Sequence, residues 1–117
     1  MQPTDARWWN GRCWDRAILD RLQDALSDCN ESLRLKPDAA NTLDSRGLVY
    51  LKLGEIDKSL ADYNAALKLD PRLSDSLYGR SLAERKKGDT AAADTDLAAA
   101  KALRPNVADE FAKYGVN

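Results

Sequence analysis

Apolar residues recur along this chain at spacings of three and four, the period of a helix with one buried face. Leu43, Gly47, Tyr50 and Leu51 form one such stripe, and Leu60, Tyr63, Ala66 and Leu67 form a second. Gly54 stands between them and is placed to end the first helix, because glycine enters the left-handed turn at little cost. Asp57 lies near the next start, where a carboxylate suits the helix dipole. Pro71 ends the second stripe, having no N–H to continue the ladder. Gly88-Asp89 marks the same turn further on, and Asp20-Arg21 takes its place nearer the start.

The pattern is periodic on a longer scale. Pro37, Pro71 and Pro105 are spaced by 34 residues, behind LRLKPDAA, LKLDPRLS and KALRPNVA. Arg12, Arg46 and Arg80 keep the same interval, as do Asp28, Asp62 and Asp96. Three further slots stay small: Cys13, Gly47 and Ser81; Ala25, Ser59 and Ala93; Ser32, Ala66 and Ala100. These define units over 6-39, 40-73 and 74-107 within a single domain spanning 1-117. A capping helix is expected over 107-115, with Phe111 in the large-residue slot.

A 34-residue helix-turn-helix unit with these large, small, aromatic and proline positions resembles the tetratricopeptide repeat. The middle unit carries the resemblance in Leu43, Gly47, Tyr50, Gly54, Ser59, Tyr63, Ala66 and Pro71. Trp9, Cys13, Ala25, Cys29, Ser32 and Pro37 carry it in the first unit; Leu77, Ser81, Gly88, Ala93, Leu97, Ala100 and Pro105 carry it in the third. It departs at Arg16 and Glu84, where the family prefers the aromatic that Tyr50 supplies. Asp94 and Lys101 stand where earlier units have Leu26 and Leu60, or Leu33 and Leu67, as a terminal face without a neighbour requires. The resemblance implies an all-α fold, a right-handed α-α superhelix of about seven helices. SRGLVYLKLG and SLADYNAAL look like bacterial members.

Composition narrows the function. Lys plus Arg is 18 and Asp plus Glu is 19, a net charge of -1. That balance argues against nucleic-acid binding and against a polybasic membrane patch. Histidine is absent, which removes Ser-His and Cys-His nucleophiles and His-ligated zinc. No Gly-rich phosphate loop is present. No enzyme, metal or cofactor is expected.

The resemblance implies a partner peptide or helix on the concave face of the first helices. The positions that map there are Asn10, Trp14 and Ile18; Asn41, Asp44, Leu48 and Leu51; and Asp75, Tyr78, Leu82, Arg85 and Lys86. They make an apolar floor with polar edges and an aromatic anchor. Relatives that hold chaperone tails use a basic two-carboxylate clamp. Asn10, Trp14, Ser45, Asp75 and Gly79 occupy its positions, so it is absent, and Asp75 would repel a terminal carboxylate. The expected function is a non-catalytic protein-protein interaction scaffold, with no membrane insertion. The alternatives are a groove filled by the C-terminal cap, or an accessory module of a larger exported bacterial protein, such as a protease, docking to a neighbouring domain or to a second copy.

Three features admit two readings each. Cys13 and Cys29 should face the same inter-helix contact, either as buried thiols or as a disulfide. A disulfide would favour a periplasmic or otherwise exported location; thiols, the cytoplasm. Trp8 matches the small Thr42 and Ser76 and either caps the end of the stack or docks a neighbour. The Arg and Asp ladders read as structural ion pairs, with Arg46 meeting Asp28 or Asp62, or as a charged groove.

Overall fold

The computed structural model describes residues 2–116. Among them are seven helices and no strand: α1 Ala6–Ile18, α2 Leu22–Leu35, α3 Ala40–Leu53, α4 Ile56–Leu69, α5 Ser74–Lys87, α6 Thr90–Leu103 and α7 Val107–Lys113. The last is shorter than the sequence suggested. Its expected span of 107-115 stops at Lys113, because the chain turns at Tyr114 and enters the left-handed region at Gly115, φ 84°.

Local chemistry sets the helix ends. α3 and α5 stop at Gly54 and Gly88, with φ of 79° and 89°. Each glycine turns the chain so that the next N–H reaches back to a free carbonyl, Glu55 to Tyr50 and Asp89 to Glu84. Asp20 makes the same left-handed turn without glycine, φ 63°. α2, α4 and α6 end at Lys36, Asp70 and Arg104, all extended. Each precedes a proline, whose ring disfavours helical geometry in the residue before it.

Each unit is an antiparallel pair: α1 on α2, α3 on α4, α5 on α6. The odd helices also touch one another in sequence, α1 to α3 and α3 to α5, whereas the even helices do not. The array therefore curves with the odd helices on its concave side. Between α3 and α5 stands Tyr63 of α4, fully buried. A Cβ on Gly47 would come within 2.8 Å of its ring, and one on Gly79 would overlap its hydroxyl end. Both glycines are small because the same ring presses on both.

The two charge ladders pair with each other. Arg12, Arg46 and Arg80 each hold the aspartate sixteen residues on, with two N–H donors on its two carboxylate oxygens at 2.7–2.9 Å. Arg46 and Arg80 also donate to Asn30 and Asn64 of the preceding unit, at 3.0 and 3.1 Å. The aspartates are buried, and the paired, two-toothed geometry is what keeps a buried carboxylate satisfied. The ladder's partner for Arg46 is thus Asp62, and the pairs lie away from the concave face.

Candidate functional site: the concave groove

Helices α1, α3 and α5 bring Asn10, Trp14, Asn41, Asp44 and Asp75 together, around a cavity of about 310 Å³ that Gly11 and Ser45 complete. The cavity is acidic. Ser76 Oγ donates to Asp44 Oδ1 at 2.6 Å. Burial nevertheless raises the Asp44 carboxyl to about 7, with Asp75 adding repulsion against the Ser76 bond. Asp75 is raised as well, first by burial; Arg104 opposes this and Glu110 reinforces it. The Arg104 guanidinium lies 3.5 Å from Asp75 and 2.8 Å from Glu110. Asn10 Oδ1 is buried and accepts no hydrogen bond from the described residues.

The middle of the groove is apolar and covered. Leu48, Leu51 and Tyr78 are buried, and Leu82 and Ile18 are half-buried. What covers them is the chain itself. Phe111 of α7 stands edge-on to Tyr78 at 4.7 Å, and Tyr114 stands edge-on to Trp14 at 5.1 Å. The C-terminal segment thus starts at the last unit and reaches the first.

A second cavity of about 310 Å³ lies on the far side of this segment, lined by Asp20, Leu51, Lys52, Leu82, Lys86, Gly115 and Val116. Lys52 is its central residue, with a side chain only 6% exposed. Its ammonium donates to the Ala17 carbonyl at 2.9 Å and the Tyr114 carbonyl at 2.7 Å, and pairs with Asp20. Those three contacts use all its donors.

Of the positions expected in the groove, Asn10, Trp14, Asn41, Asp44 and Asp75 line one cavity, and Leu51, Leu82 and Lys86 line the second. Arg85 is exposed and turns to Asp94 of α6, at 2.9 Å. Sequence reasoning passed over Lys52, although it occupies the same slot as Ile18 and Lys86. It also missed Tyr114 and the Arg104 bridge, which no repeat position announces.

Outside the groove, Cys13 and Cys29 are joined by a disulfide with Cα atoms 5.4 Å apart. Trp8 is 47% exposed at the end of the stack. It packs edge-on to Trp9 at 5.2 Å, with the Arg12 guanidinium 4.8 Å from its ring centre. No described helix is long and apolar enough to cross a membrane, and no described cluster of acidic or cysteine side chains could hold a metal ion.

Paired helices of this length, stacked with a concave inner layer, define an α-helical repeat solenoid. Residues 45–73 match the sequence model of the tetratricopeptide repeat, and the units on either side repeat the same paired-helix geometry. Among solved structures the chain is similar to MamA, with 23% identity over 91% of this chain and a TM-score of 0.76. The chain spans 62% of that MamA chain, and 58% of a second MamA structure. It is also similar to the first tetratricopeptide unit of Spaghetti (RPAP3), solved bound to the HSP90 peptide SRMEEVD, with 16% identity over 98% of this chain, 94% of that one, and a TM-score of 0.82. No curated protein sequence matches the chain.

Proposed function

We propose that the protein is a non-catalytic protein-interaction module that takes a peptide or partner helix in its concave groove, with a basic side chain of the partner entering the acidic cavity. The observation that carries this reading is the cavity itself: Trp14 and two carboxylates around one space, both carboxylates raised in pKa, first by burial. An aromatic wall beside carboxylates suits a guanidinium or ammonium. The RPAP3 unit holds SRMEEVD, a peptide with three acidic residues; Asp44 and Asp75 make such a ligand a poor fit here.

The test is a titration of matched fluorescent peptides, identical but for Arg or Glu at one position, with SRMEEVD as a control. Arg peptides should bind more tightly. Trp14→Ala and Asp75→Asn should each reduce that preference about tenfold, in line with the loss of one charge-assisted contact. Binding should strengthen from pH 6 to pH 8, as Asp44 loses its proton near 7. A preference for the Glu series would reverse the assignment.

The Cys13–Cys29 bond supports a second part of the proposal: an exported location, such as a bacterial periplasm, because cytosolic disulfides are rare. Alkylation of the unreduced, unfolded protein followed by intact mass measurement decides it. A mass without alkyl groups fits export; two alkyl groups mean free thiols and a cytoplasmic partner.

A further inference from the structure

The segment from Val107 to Val116 is held in a way that differs from every other part of the array. α7 has seven residues, too few to be stable by itself. It leaves the last unit and crosses the groove on three attachments. Phe111, 1% exposed, sits on Tyr78. Tyr114 stands against Trp14. Lys52 grips the Tyr114 carbonyl from below while holding the end of α1 by Ala17. Near the hinge, Arg104 ties Glu110 to Asp75.

The crossing is undercut on both sides. Gly115 and Val116 line the Lys52–Lys86 cavity, and Trp14, against which Tyr114 stands, lines the acidic one. A permanent cap would fill such space, as the interiors of the units do.

We infer that residues 107–116 are a latch: the groove's built-in occupant, which swings away when a partner takes its place. The latch also shows what the groove accepts. A competing partner is a short helix with two aromatic residues three apart, the first seated on Tyr78 and the second on Trp14, with the second aromatic's own backbone carbonyl for Lys52. This deepens the proposed function and rests on the groove being the binding face. Exposing Leu48, Leu51 and Tyr78 to water without such a replacement is unfavourable, so the closed state is the resting state.

Two measurements on the whole chain test this. In hydrogen exchange, amides of 107–116 should open at least a hundredfold faster than those of α3 and α5; exchange in step with α3 and α5 would make the segment a fixed cap and overturn the latch. In the second, a labelled peptide spanning residues 106–116 is titrated against the parental protein and Tyr114→Ala. The variant, its own latch loosened, should bind the peptide at least tenfold more tightly than the parent, and a peptide with both aromatics replaced by alanine should not bind. Equal or absent binding by a folded Tyr114→Ala chain would overturn the proposal; if that variant does not fold, the exchange result on the unmutated chain decides. The peptide comes from the chain itself. Its binding therefore survives a failure of the Arg and Glu panel, and its failure alongside a positive panel removes the latch and leaves the groove assignment intact.

Discussion

The first and last units solve the same two packing problems with different chemistry. At the same repeat positions the first unit has Cys13 and Cys29, the middle one Gly47 and Tyr63, and the last Ser81 and Leu97. The first joins them by a covalent bond, the middle sets a ring over a glycine, and the last has a buried serine and a half-buried leucine. The second problem is the buried aspartate. Asp28 receives two arginines, Arg12 and Arg16. Arg46 holds Asp62 with Tyr50 beside it, 5.7 Å from the guanidinium to the ring centre. Arg80 faces two carboxylates, Asp96 and the more distant Glu84, 3.9 Å away. One slot, filled by Arg16, Tyr50 or Glu84, tips each site toward excess positive charge, neutrality or excess negative charge. The lesson is that the repeat fixes the geometry while its variable positions set how each unit responds to redox state and pH.

Breaking the staple gives the largest expected effect. Cys13→Ala with Cys29→Ala should cost about 3 kcal/mol, the loop-entropy contribution of a cross-link over this separation. Urea unfolding of variant and parent measures it. A loss below about 1 kcal/mol would show that the first unit is held as the last one is, by packing alone.

Next comes Gly79→Ala. The new methyl would meet the buried hydroxyl end of Tyr63, and overpacking of this kind costs about 1–3 kcal/mol. Pairing it with Tyr63→Phe, which removes the hydroxyl oxygen but leaves the ring carbon Cζ equally close, should recover only part of the loss. Equal instability in the double variant would mean that the ring, not its hydroxyl, is the obstacle.

The aspartates sharpen the comparison further. Asp28→Asn strands two arginines, whereas Asp96→Asn leaves Glu84 to move toward Arg80. Asp28→Asn should therefore be the costlier by about 1 kcal/mol, one charge-assisted hydrogen bond. Equal costs would mean that Glu84 does not substitute.

The smallest effect is a slope. Burial raises the Glu84 carboxyl to about 7 from its ordinary 4.5, with the Asp96 hydrogen bond adding to it. On Asp96, burial is outweighed by the bonds from Arg80 and Glu84, so its carboxyl is lowered. The folded chain thus holds the Glu84 proton more tightly than the unfolded chain does. Stability should fall as pH rises from 4.5 to about 7 and level off above it. Glu84→Gln should flatten that fall in urea midpoints measured across this range, leaving the part due to Asp44 and Asp75, which are raised in the same direction. An unchanged slope would assign all of it to those two aspartates.

Much of this was legible in the sequence, because repeats declare themselves by spacing. The 34-residue interval of Pro37, Pro71 and Pro105 marked where the even helices end, and Gly54 and Gly88 marked the turns. The Arg and Asp ladders read as ion pairs because each recurs once per unit. The path of the C-terminal segment was not legible as a path. Trp14 and Tyr114 meet across the whole array, and no periodicity links a residue inside the repeats to one beyond them. Lys52 was legible in principle through Ile18 and Lys86. It was passed over because a lysine among leucines reads as solvent-facing, and only the two carbonyls it serves explain why it is buried.

The disulfide lies wholly within the first unit, and this governs how the array yields to force. A solenoid is a spring whose coils are its units and whose compliance resides in the seams between them. A bond inside one coil locks that coil without stiffening any seam, so oxidation and reduction should leave the curvature of the array unchanged. Under tension the first unit would be the last coil to unravel. The strain would concentrate at the seam where Tyr63 is wedged against Gly79, and at the strap that ties the two ends of the spring together.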